Sequence, residues 1–350
     1  MPWYAFLLYP FALLYEFITG LRNKFFDLGW LKSVKSPIST IIVGNLSVGG
    51  TGKTPMVEWI IRLLKDENNL SILSRGYRRK SNGFLQASPT TLPAQLGDEP
   101  FQIFRKFGNE VKIFVGEDRV EALKKIANNS PETQLVILDD AMQHRYHSPD
   151  FTILLTTFQK PFFTDFLLPM GRLRESRRGA KRADVIVVTK CPAEISNEIK
   201  HDFQAKMSPY LRSDSSVIFA SIEYAIPYPL EANLVFSPRI ILLSGLADDQ
   251  QLVGYVSSNY EVLSILKYPD HHEYDLPDFE TIKKVFLSFE HLNPVILTTE
   301  KDAVKVKSNA PKDFLKEIPI FVLPIAVKLS PEDRTILIDQ IYQKVLKNEI

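Results

Sequence analysis

The sequence predicts an α/β protein made of two parallel-sheet units, and three observations lead to this prediction. Short apolar runs alternate with helical patterns along most of the 350 residues, which is typical of βα units around a parallel sheet. The run at 41–43 leads into a glycine-rich loop ending in Gly-Lys-Thr, and a helical pattern follows at once. Prolines and polar residues interrupt the alternation at 224–233. We therefore expect a P-loop NTPase-type sheet, a linker and a second, smaller Rossmann-like α/β unit.

The first unit is expected to span residues 31–223. Its predicted strands are the apolar runs at 40–43, 70–73, 111–115, 135–138, 151–155 and 185–189. Helical patterns lie at 53–65, 100–107, 118–127 and 193–206. This order of strands and helices predicts a parallel sheet.

The linker is expected at 224–237 and the second unit at 238–350. Predicted strands at 240–243, 262–266, 295–298 and 320–323 alternate there with helices near 248–258, 278–289 and 331–346. We find no internal repeat and no low-complexity tract in the sequence. The second unit is therefore expected to be another α/β fold.

Composition excludes several classes of protein. A net charge of +1 argues against a nucleic-acid-binding protein. The single cysteine, Cys191, excludes an intramolecular disulfide framework and a cysteine-rich metal site, and it fits a reducing compartment. We expect a chain on the cytosolic side, with no nucleic-acid partner and no obligate protein partner evident.

The loop at 47–54 is the strongest functional signal. Gly49, Gly50 and Gly52 allow backbone N–H groups to turn toward phosphate oxygens, while Lys53 reaches the β/γ-phosphates and Thr54 holds Mg²⁺. The other members of the predicted nucleotide cradle are Ser47, Val48 and Thr51. Ser47 stands where the G-x-x-x-x-G-K-[ST] pattern has its first glycine, and an ordinary glycine-rich turn is the alternative.

Two carboxylates follow the apolar run at 135–138. Asp139 and Asp140 therefore lie at the C-terminal end of a predicted strand, where the ligand crevice of an open α/β sheet forms. In a P-loop protein this is the Walker B position, which orients Mg²⁺ directly or through water. An acidic turn after a strand is common by itself, so this assignment depends on the loop at 47–54.

Two further clusters carry titratable side chains. Asp98 and Glu99 precede a predicted helix, and their spacing alone favours an acidic N-cap. The segment at 268–274 holds His271 and His272 directly after Asp270. A histidine–carboxylate acid/base pair is favoured there over a metal site, and structural histidines are the alternative.

The N-terminal segment at 1–30 is aromatic and aliphatic over its first half. Pro10 and Glu16 disfavour a membrane span, and the charge pattern of a signal peptide is missing. Two interpretations remain: a helix in the membrane interface, with Trp3 and the tyrosines at the headgroup level, or a helix packed on the protein's own core. We favour the interface.

A cationic run at 172–182 follows a largely apolar stretch at 162–170. Arginine side chains bind phosphate bidentately, and basic residues also favour an anionic membrane surface. A solvated helix face is the alternative for such a run. An apolar patch beside an arginine patch matches a phosphorylated lipid.

Together these motifs resemble the tetraacyldisaccharide 4′-kinase, or lipid A 4′-kinase, family. The matching segments run in family order: the loop region 44–55, Ser-Arg-Gly-Tyr at 74–77, Gly-Asp-Glu-Pro at 97–100, Asp-Asp at 139–140 with Gln143 and His144, and segments 168–175, 270–271 and 299–305. The resemblance implies ATP-dependent phosphorylation of the 4′-hydroxyl of an acylated glucosamine disaccharide 1-phosphate in lipid A (lipopolysaccharide) biosynthesis. It also implies a peripheral, monotopic protein at the cytoplasmic face of the inner membrane, with a short two-stranded linker between its units.

The resemblance further implies roles for individual residues. Asp98 corresponds to the carboxylate that accepts the proton of the sugar hydroxyl, and His271 to its dyad partner from the second unit. The residues implied around MgATP and the transferring phosphoryl group are Lys53, Thr54, Asp139, Asp140, Gln143, Arg174 and Glu175. Of these, Lys53 and Arg174 are expected to be catalytic, and the others to surround the metal.

Two other classes of function stay open. A P-loop switch or assembly ATPase at the membrane surface uses a similar loop, although Val48 stands where its signature lysine is usual. A peripheral membrane module without catalysis is supported by the N-terminal segment alone. Lipid-dependent consumption of ATP distinguishes the kinase from both.

Overall fold

Two large, mostly parallel sheets covered by helices, with a two-stranded pair at 34–35 and 147–148, form the fold. The computed structural model describes residues 7–232 and 234–346. The strands are β1 (Val34–Lys35), β2 (Ser39–Asn45), β3 (Leu70–Ser74), β4 (Leu85–Gln86), β5 (Lys112–Val115), β6 (Leu135–Asp139), β7 (His147–Ser148), β8 (Phe151–Thr157), β9 (Val185–Cys191), β10 (Ser216–Tyr224), β11 (Tyr228–Pro229), β12 (Arg239–Ser244), β13 (Glu261–Lys267), β14 (Val295–Thr299), β15 (Ile320–Leu323) and β16 (Ile325–Leu329). The helices are α1 (Tyr9–Asp27), α2 (Lys53–Leu64), α3 (Pro93–Leu96), α4 (Asp98–Phe107), α5 (Arg119–Asn129), α6 (Asn197–Met207), α7 (Gln250–Asn259), α8 (Leu276–Ser288), α9 (Glu300–Asn309), α10 (Phe314–Glu317) and α11 (Pro331–Ile341).

The larger sheet has nine strands in the order β16-β10-β9-β8-β2-β6-β3-β5-β4. Its inner strands pair in parallel, and the edge strands β16 and β4 are antiparallel to their neighbours. Ile41 and Val43 of β2 are fully buried and share one core with Ile60 of α2. Because β2 and β6 are parallel neighbours, the segments that follow them meet at the same edge of the sheet.

The smaller sheet has five strands in the order β11-β15-β14-β12-β13, and β11 alone is antiparallel. Ile241, Ile296 and Ile320 lie at its centre and pack against Phe279 of α8. The α/β fold with a second, smaller unit predicted from the sequence is confirmed.

The chain passes between the two sheets twice, side by side. Tyr224 at the end of β10 pairs with Ile325 of β16, and the N–H of Ala225 donates to the carbonyl of Pro324 at 3.0 Å. The two passages therefore form a short antiparallel ladder. Asn233, within the expected linker, lies outside the described residues.

The C-terminal segment returns to the larger sheet. β16 forms its edge, and Leu337 and Ile341 of α11 are buried in the same core as α2. This differs from the expectation of a second unit running through 238–350, because pairing with β10 takes residues 325–346 out of the smaller sheet. The apolar runs of the sequence do not specify which sheet a strand joins.

Some strands and helices that the sequence does not predict lack the apolar pattern typical of a strand or a helix. β10 mixes half-buried, buried and exposed positions, and β16 has only half-buried and exposed ones, so neither is a continuous buried run. α9 is rich in charged residues, and it begins after Thr299, whose hydroxyl accepts the N–H of Asp302. α6 begins later than expected, because Ser196 caps it.

Helix α1 lies along the larger unit and contacts it through one face. The Tyr15 hydroxyl donates to the carbonyl of Arg174 at 2.8 Å, and Arg22 donates to the carbonyl of Gln143 at 3.2 Å. Phe26 is buried near the end of the helix. Part of the core-packed interpretation is therefore present in the structure.

The other face of α1 is apolar and uncovered in the described part of the chain. The large exposed apolar side chains of α1 are Tyr9, Phe11, Leu13, Leu14, Phe17, Ile18 and Leu21, and Leu7, just before the helix, is exposed as well. Within the described ranges, no helix combines the length and apolar character needed to cross a membrane. The expected interfacial contact of Trp3 lies outside the described residues.

A buried ion cluster joins the two units. Lys106 of α4 lies between Glu58 of α2, at 2.7 Å, and Glu300 at the start of α9. The Glu58 side chain is 1% exposed and the Glu300 side chain 6% exposed. Burial of two carboxylates without a cation is costly, so Lys106 stabilises the arrangement of three helices.

We expect Lys106→Met to lower the free energy of unfolding by about 3 kcal/mol, because it leaves both carboxylates without their shared cation. Urea denaturation measures the change. Lys206→Met is the matched control, since Lys206 pairs with Asp202 on the exposed face of α6, and a change below about 0.5 kcal/mol is expected there. Equal stability of the two variants would contradict the role of the cluster.

Candidate active site

The glycine-rich loop connects β2 to α2, and hydrogen bonds from buried side chains hold its shape. The buried Asn45 amide donates to the carbonyl of Ser47 at 2.7 Å and to the hydroxyl of Thr51 at 2.9 Å. The Thr189 hydroxyl, from β9, donates to the carbonyl of Thr51 at 2.8 Å. Gly52 adopts φ 85°, which favours glycine, and α2 starts at the next residue. The loop is therefore preorganised for anion binding at the N-terminus of α2.

Lys53 and Arg174 both face Asp140. The Lys53 Nζ atom lies 3.7 Å from one carboxylate oxygen of Asp140, and the Arg174 guanidinium donates to both oxygens at 3.1 and 2.7 Å. Burial acts to raise the pKa of Asp140, but these two cations hold that pKa below its ordinary value. Asp140 thus stays ionised and fixes the position of both cations beside the loop.

Asp139 is the most deeply buried carboxylate of the site. Its side chain is 1% exposed, and its Oδ1 atom has no hydrogen-bond partner among the described residues. Burial, with the nearby charge of Glu99, raises the pKa of Asp139. A buried carboxylate oxygen without a partner is suited to a bound cation or a proton.

The residues beside the loop fit Mg²⁺. No cluster of three or more His, Cys, Asp and Glu side chains with metal-ligand geometry occurs in residues 7–232 and 234–346. Mg²⁺ commonly takes one or two carboxylates and completes its shell with phosphate oxygens and water. The unpaired Asp139 oxygen and the Thr54 hydroxyl match that donor set.

Gln143 and Glu175, both expected near the metal, lie in a buried network under the loop. Gln143 donates to the carbonyl of Asn45 at 3.0 Å and to Glu175 Oε1 at 2.9 Å. Arg182 also donates to Oε1, and Asn23 of α1 donates to Oε2. Because donors occupy both oxygens of Glu175, these contacts favour a positioning role for it, and metal contact stays a prediction.

Asp98 lies at the first turn of α4 and faces the smaller sheet. Gly97 occupies the N-cap position, and no side-chain capping bond is present there, so the structure does not support the helix-cap interpretation of Asp98. The Asp98 Oδ2 atom lies 3.5 Å from His271 Nδ1. The structure therefore brings together the carboxylate of one unit and the histidine of the other.

Lysines of α9 complete this cluster, and the sequence analysis assigned them no role. Lys305 Nζ lies 3.1 Å from Asp98 Oδ2, and its side chain is 3% exposed. Lys301 Nζ lies 2.7 Å from Asp270 and 3.3 Å from His271 Nε2. The sequence feature that could have pointed to these lysines is their i, i+4 spacing in the segment at 299–305, which places both on one face of a helix.

The cations around Asp98 decide its charge. Burial acts to raise the pKa of Asp98, but the hydrogen bond from His271 and the charge of Lys305 hold that pKa below its ordinary value. Glu99, the next residue, is close enough to raise the pKa of Asp139. The first turn of α4 therefore acts electrostatically on a carboxylate beside the loop.

His272, the neighbour of His271, has a separate role. Its Nε2 atom lies 2.6 Å from Asp278, a residue of the first turn of α8. Its carbonyl accepts a hydrogen bond from Lys305 at 3.0 Å. The structural interpretation therefore applies to His272, whereas His271 reaches the site.

The path from β2 through the loop into α2, with two aspartates at the end of the neighbouring β6, has the architecture of a P-loop NTPase. A model of the tetraacyldisaccharide-1-P 4′-kinase family matches residues 4–345, and the chain belongs to this family. The resemblance drawn from the sequence motifs is thereby confirmed.

Relatives match over nearly the full length of the chain. It is 42% identical over 318 residues to a tetraacyldisaccharide 4′-kinase of Flavobacterium psychrophilum, covering 89% of this chain and 90% of that protein. It is 37% identical over 351 residues to a tetraacyldisaccharide 4′-kinase of Phocaeicola vulgatus, covering 97% and 95%. The crystal structure of apo-form LpxK from Aquifex aeolicus in complex with ATP matches with a TM-score of 0.76 and 30% identity, over 97% of this chain and 99% of that one.

We expect Lys305→Met to raise the pKa of Asp98, because the variant removes a buried cation that favours the ionised carboxylate. A ¹³C NMR titration of the Asp98 carboxyl carbon, assigned with Asp98→Asn, measures the shift. Lys305→Arg keeps the charge and should leave the pKa nearer the wild-type value. An unchanged pKa in Lys305→Met would show that His271 alone sets the charge of Asp98.

Proposed function

We propose that this protein transfers the γ-phosphoryl group of ATP to the 4′-hydroxyl of a tetraacylated glucosamine disaccharide 1-phosphate, in lipid A biosynthesis. The curated relatives carry this activity in their names, and the Aquifex aeolicus protein was crystallised with ATP. The observation that carries the proposal is the Asp98–His271 contact, in which a carboxylate of one unit lies 3.5 Å from a histidine of the other. A carboxylate held by a histidine is suited to accept the proton of an acceptor hydroxyl.

Phosphoryl transfer spreads negative charge over the equatorial oxygens of the γ-phosphoryl group. Lys53 and Arg174 stabilise that charge from the loop and from the segment after β8, and Asp140 holds both cations in place. Thr54 and Asp139 supply the oxygens that would hold Mg²⁺, and the bound ion would offset the charge of the phosphate groups. These groups require no proton transfer of their own.

Asp98 acts on the acceptor. Its carboxylate accepts the proton of the sugar hydroxyl as the new O–P bond forms and the bond between the β- and γ-phosphates breaks, releasing ADP. His271 orients that carboxylate through its Nδ1 atom, and Lys301 lies against the opposite ring nitrogen. The ionised form of Asp98 is the form that a base requires.

The two passages between the sheets support a hinge at the linker proposed for 224–237. Tyr224 of β10 pairs with Ile325 of β16, and the Ala225 N–H donates to the carbonyl of Pro324. Within the same linker, β11 pairs antiparallel with β15.

His271 and Lys305 lie against Asp98 in this arrangement. Opening at the linker would separate them from Asp98, and closure would restore these contacts and exclude water from ATP. The proposed units are the kinase unit at 31–223, completed by 325–346, and the smaller unit that begins at 238, whose sheet is extended by strand β11 of the linker.

The membrane-facing part is proposed to be the segment at 1–30. The apolar face of α1 borders a cleft of about 280 Å³ that is also lined by Phe166, Leu167, Arg177 and Arg178. Acyl chains suit the apolar side of this cleft, and phosphate suits the two arginines. We place the protein peripherally at the cytoplasmic face of the inner membrane, where its acceptor would lie in the bilayer.

The test of the function is ATP consumption with and without a tetraacylated disaccharide 1-phosphate, in the presence of Mg²⁺. The proposal expects ADP and a 4′-phosphorylated lipid in equal amounts, with little ADP when the lipid is omitted. ADP formed at the same rate without lipid would favour the switch or assembly ATPase. No ATP consumption in either case would favour the membrane module.

Lys53→Ala is expected to lower kcat by on the order of 10²-fold or more, because it removes a preorganised cation from the transferring phosphoryl group. Lipid phosphorylation under saturating ATP measures the loss. Lys65→Ala, a substitution just beyond the end of the same helix with exposed partners, is the control. Normal turnover in a folded Lys53→Ala protein would remove the loop from the mechanism.

Asp98→Ala and His271→Ala are expected to act as one unit, so that the double variant is hardly slower than the slower single variant. Groups that handle one proton together are non-additive. The two single variants and the double variant are compared by kcat for lipid phosphorylation. If the two losses multiplied, the side chains would act independently.

Replacing Leu14, Phe17 and Ile18 together by Ser is expected to release the protein from vesicles that contain anionic lipid, because these side chains are more than half exposed on the apolar face of α1. The KM for bilayer-embedded acceptor should rise while ATP affinity stays unchanged, since the Tyr15 and Asn23 contacts remain. Vesicle co-sedimentation measures binding. Ile226→Ser with Leu276→Ser, exposed apolar side chains outside α1, is the control; equal release would exclude α1 as the anchor.

A further inference from the structure

Lys190, near the end of β9, has a backbone conformation that side-chain-bearing residues rarely adopt. Its φ is 55°, in the left-handed region. Such conformations persist where surrounding contacts enforce them, and they are concentrated at functional sites. The Gln251 amide, from α7 of the smaller unit, donates to the Lys190 carbonyl at 2.9 Å and helps to hold this conformation.

The side chain of Lys190 extends beside the phosphate loop. A Cβ atom built on Gly50 would lie 4.0 Å from Lys190 Nζ. The preceding residue, Thr189, is hydrogen-bonded to the carbonyl of Thr51. The end of β9 is thus connected to the middle of the loop, whereas Lys53 enters the site from the start of α2.

The Lys190 ammonium has no carboxylate in ion-pair contact within the described ranges. Asp248 acts on it at longer range and itself pairs with Lys160 at 3.7 Å. Burial lowers the pKa of Lys190. In contrast, Lys53 pairs with Asp140 at the γ-phosphoryl end of the site.

The topology separates the two ends of a bound nucleotide. On one side of β2, β6 ends in Asp139 and Asp140, which with Lys53 mark the position of the metal and the γ-phosphoryl group. On the other side of β2 lie β8, which ends at Thr157, and then β9, which contains Lys190 next to its last residue. A nucleoside extending from the loop along the carboxyl edge away from the carboxylates meets the Lys190 side.

We propose that Lys190 forms one wall of the nucleoside half of the nucleotide site, with its methylene chain packed against the purine ring and its ammonium directed between the ribose and Gly50. This inference rests on the proposed ATP-dependent function and adds a residue that determines nucleotide affinity. Lysine side chains commonly present their methylene groups to an apolar partner while the ammonium remains among polar groups. Lys190 then acts on the nucleoside and leaves the phosphates to the loop.

The experiment compares a nucleotide with a probe that lacks the nucleoside. Calorimetry measures the affinities of ATP and of inorganic tripolyphosphate, both with Mg²⁺, for wild type, Lys190→Gly, Lys190→Met and Lys53→Ala. Glycine adopts a positive φ readily, so Lys190→Gly is expected to keep the fold, and an unchanged Tm checks this. Lys206→Ala on α6 also removes one lysine charge and serves as the control. Alanine is used there because glycine would destabilise the helix.

Lys190→Gly is expected to weaken ATP binding by on the order of tenfold, about the effect of losing two buried methylene contacts, and to change tripolyphosphate binding less than about twofold. Lys190→Met keeps a chain of similar length and should lie closer to wild type for ATP. Lys53→Ala should weaken both probes. Lys206→Ala should change neither.

Equal weakening of both probes in Lys190→Gly would overturn the inference, because it would make Lys190 a phosphate ligand. Unchanged ATP binding in Lys190→Gly would overturn it as well, while leaving the kinase function intact if Lys53→Ala still loses both probes. Failure of the wild-type protein to bind ATP would overturn the proposed function together with this inference.

Discussion

The ion pair between Arg174 and Asp140 is the interaction on which the rest of the site depends. Arg174 donates to both oxygens of Asp140 and to the carbonyl of Asn45, so one side chain joins its own segment to the ends of β6 and β2. The Tyr15 hydroxyl of α1 donates to the Arg174 carbonyl. Asp140 in turn positions Lys53. The planar fork of arginine makes these contacts possible, and a lysine has no equivalent geometry.

The arrangement of the two units sets the charge state of Asp98. The larger unit supplies the carboxylate, and the smaller one supplies His271 and Lys305, whose approach outweighs the effect of burial on the Asp98 pKa. Lys106 and Glu300 bury a second set of charges between the same helices, α4 and α9. The units are therefore held by charges whose balance depends on close approach, which couples the geometry between the units to the charge of Asp98.

Helix α1 has two faces with different roles. Asn23 reaches Glu175 and Tyr15 reaches Arg174, so one face belongs to the support of the site. The opposite face leaves large apolar side chains such as Phe11 and Phe17 uncovered among the described residues. An apolar surface of this kind favours a lipid or protein contact. One helix therefore carries both contacts to the site and an uncovered apolar face.

Local patterns were enough to predict the loop at 47–54 between a strand and a helix, the aspartates at the end of β6 and most buried strands. Glycine placement, apolar runs and helical periodicity are properties of short segments, so they are visible in the sequence. The sequence did not reveal the return of β16 to the larger sheet, since strand pairing is decided by contacts between distant segments. Only the tertiary structure shows that Lys305 lies against Asp98 and that both carboxylate oxygens of Glu175 accept hydrogen bonds. These contacts join residues far apart in the chain, and their charges and burial exist only once the two sheets are packed.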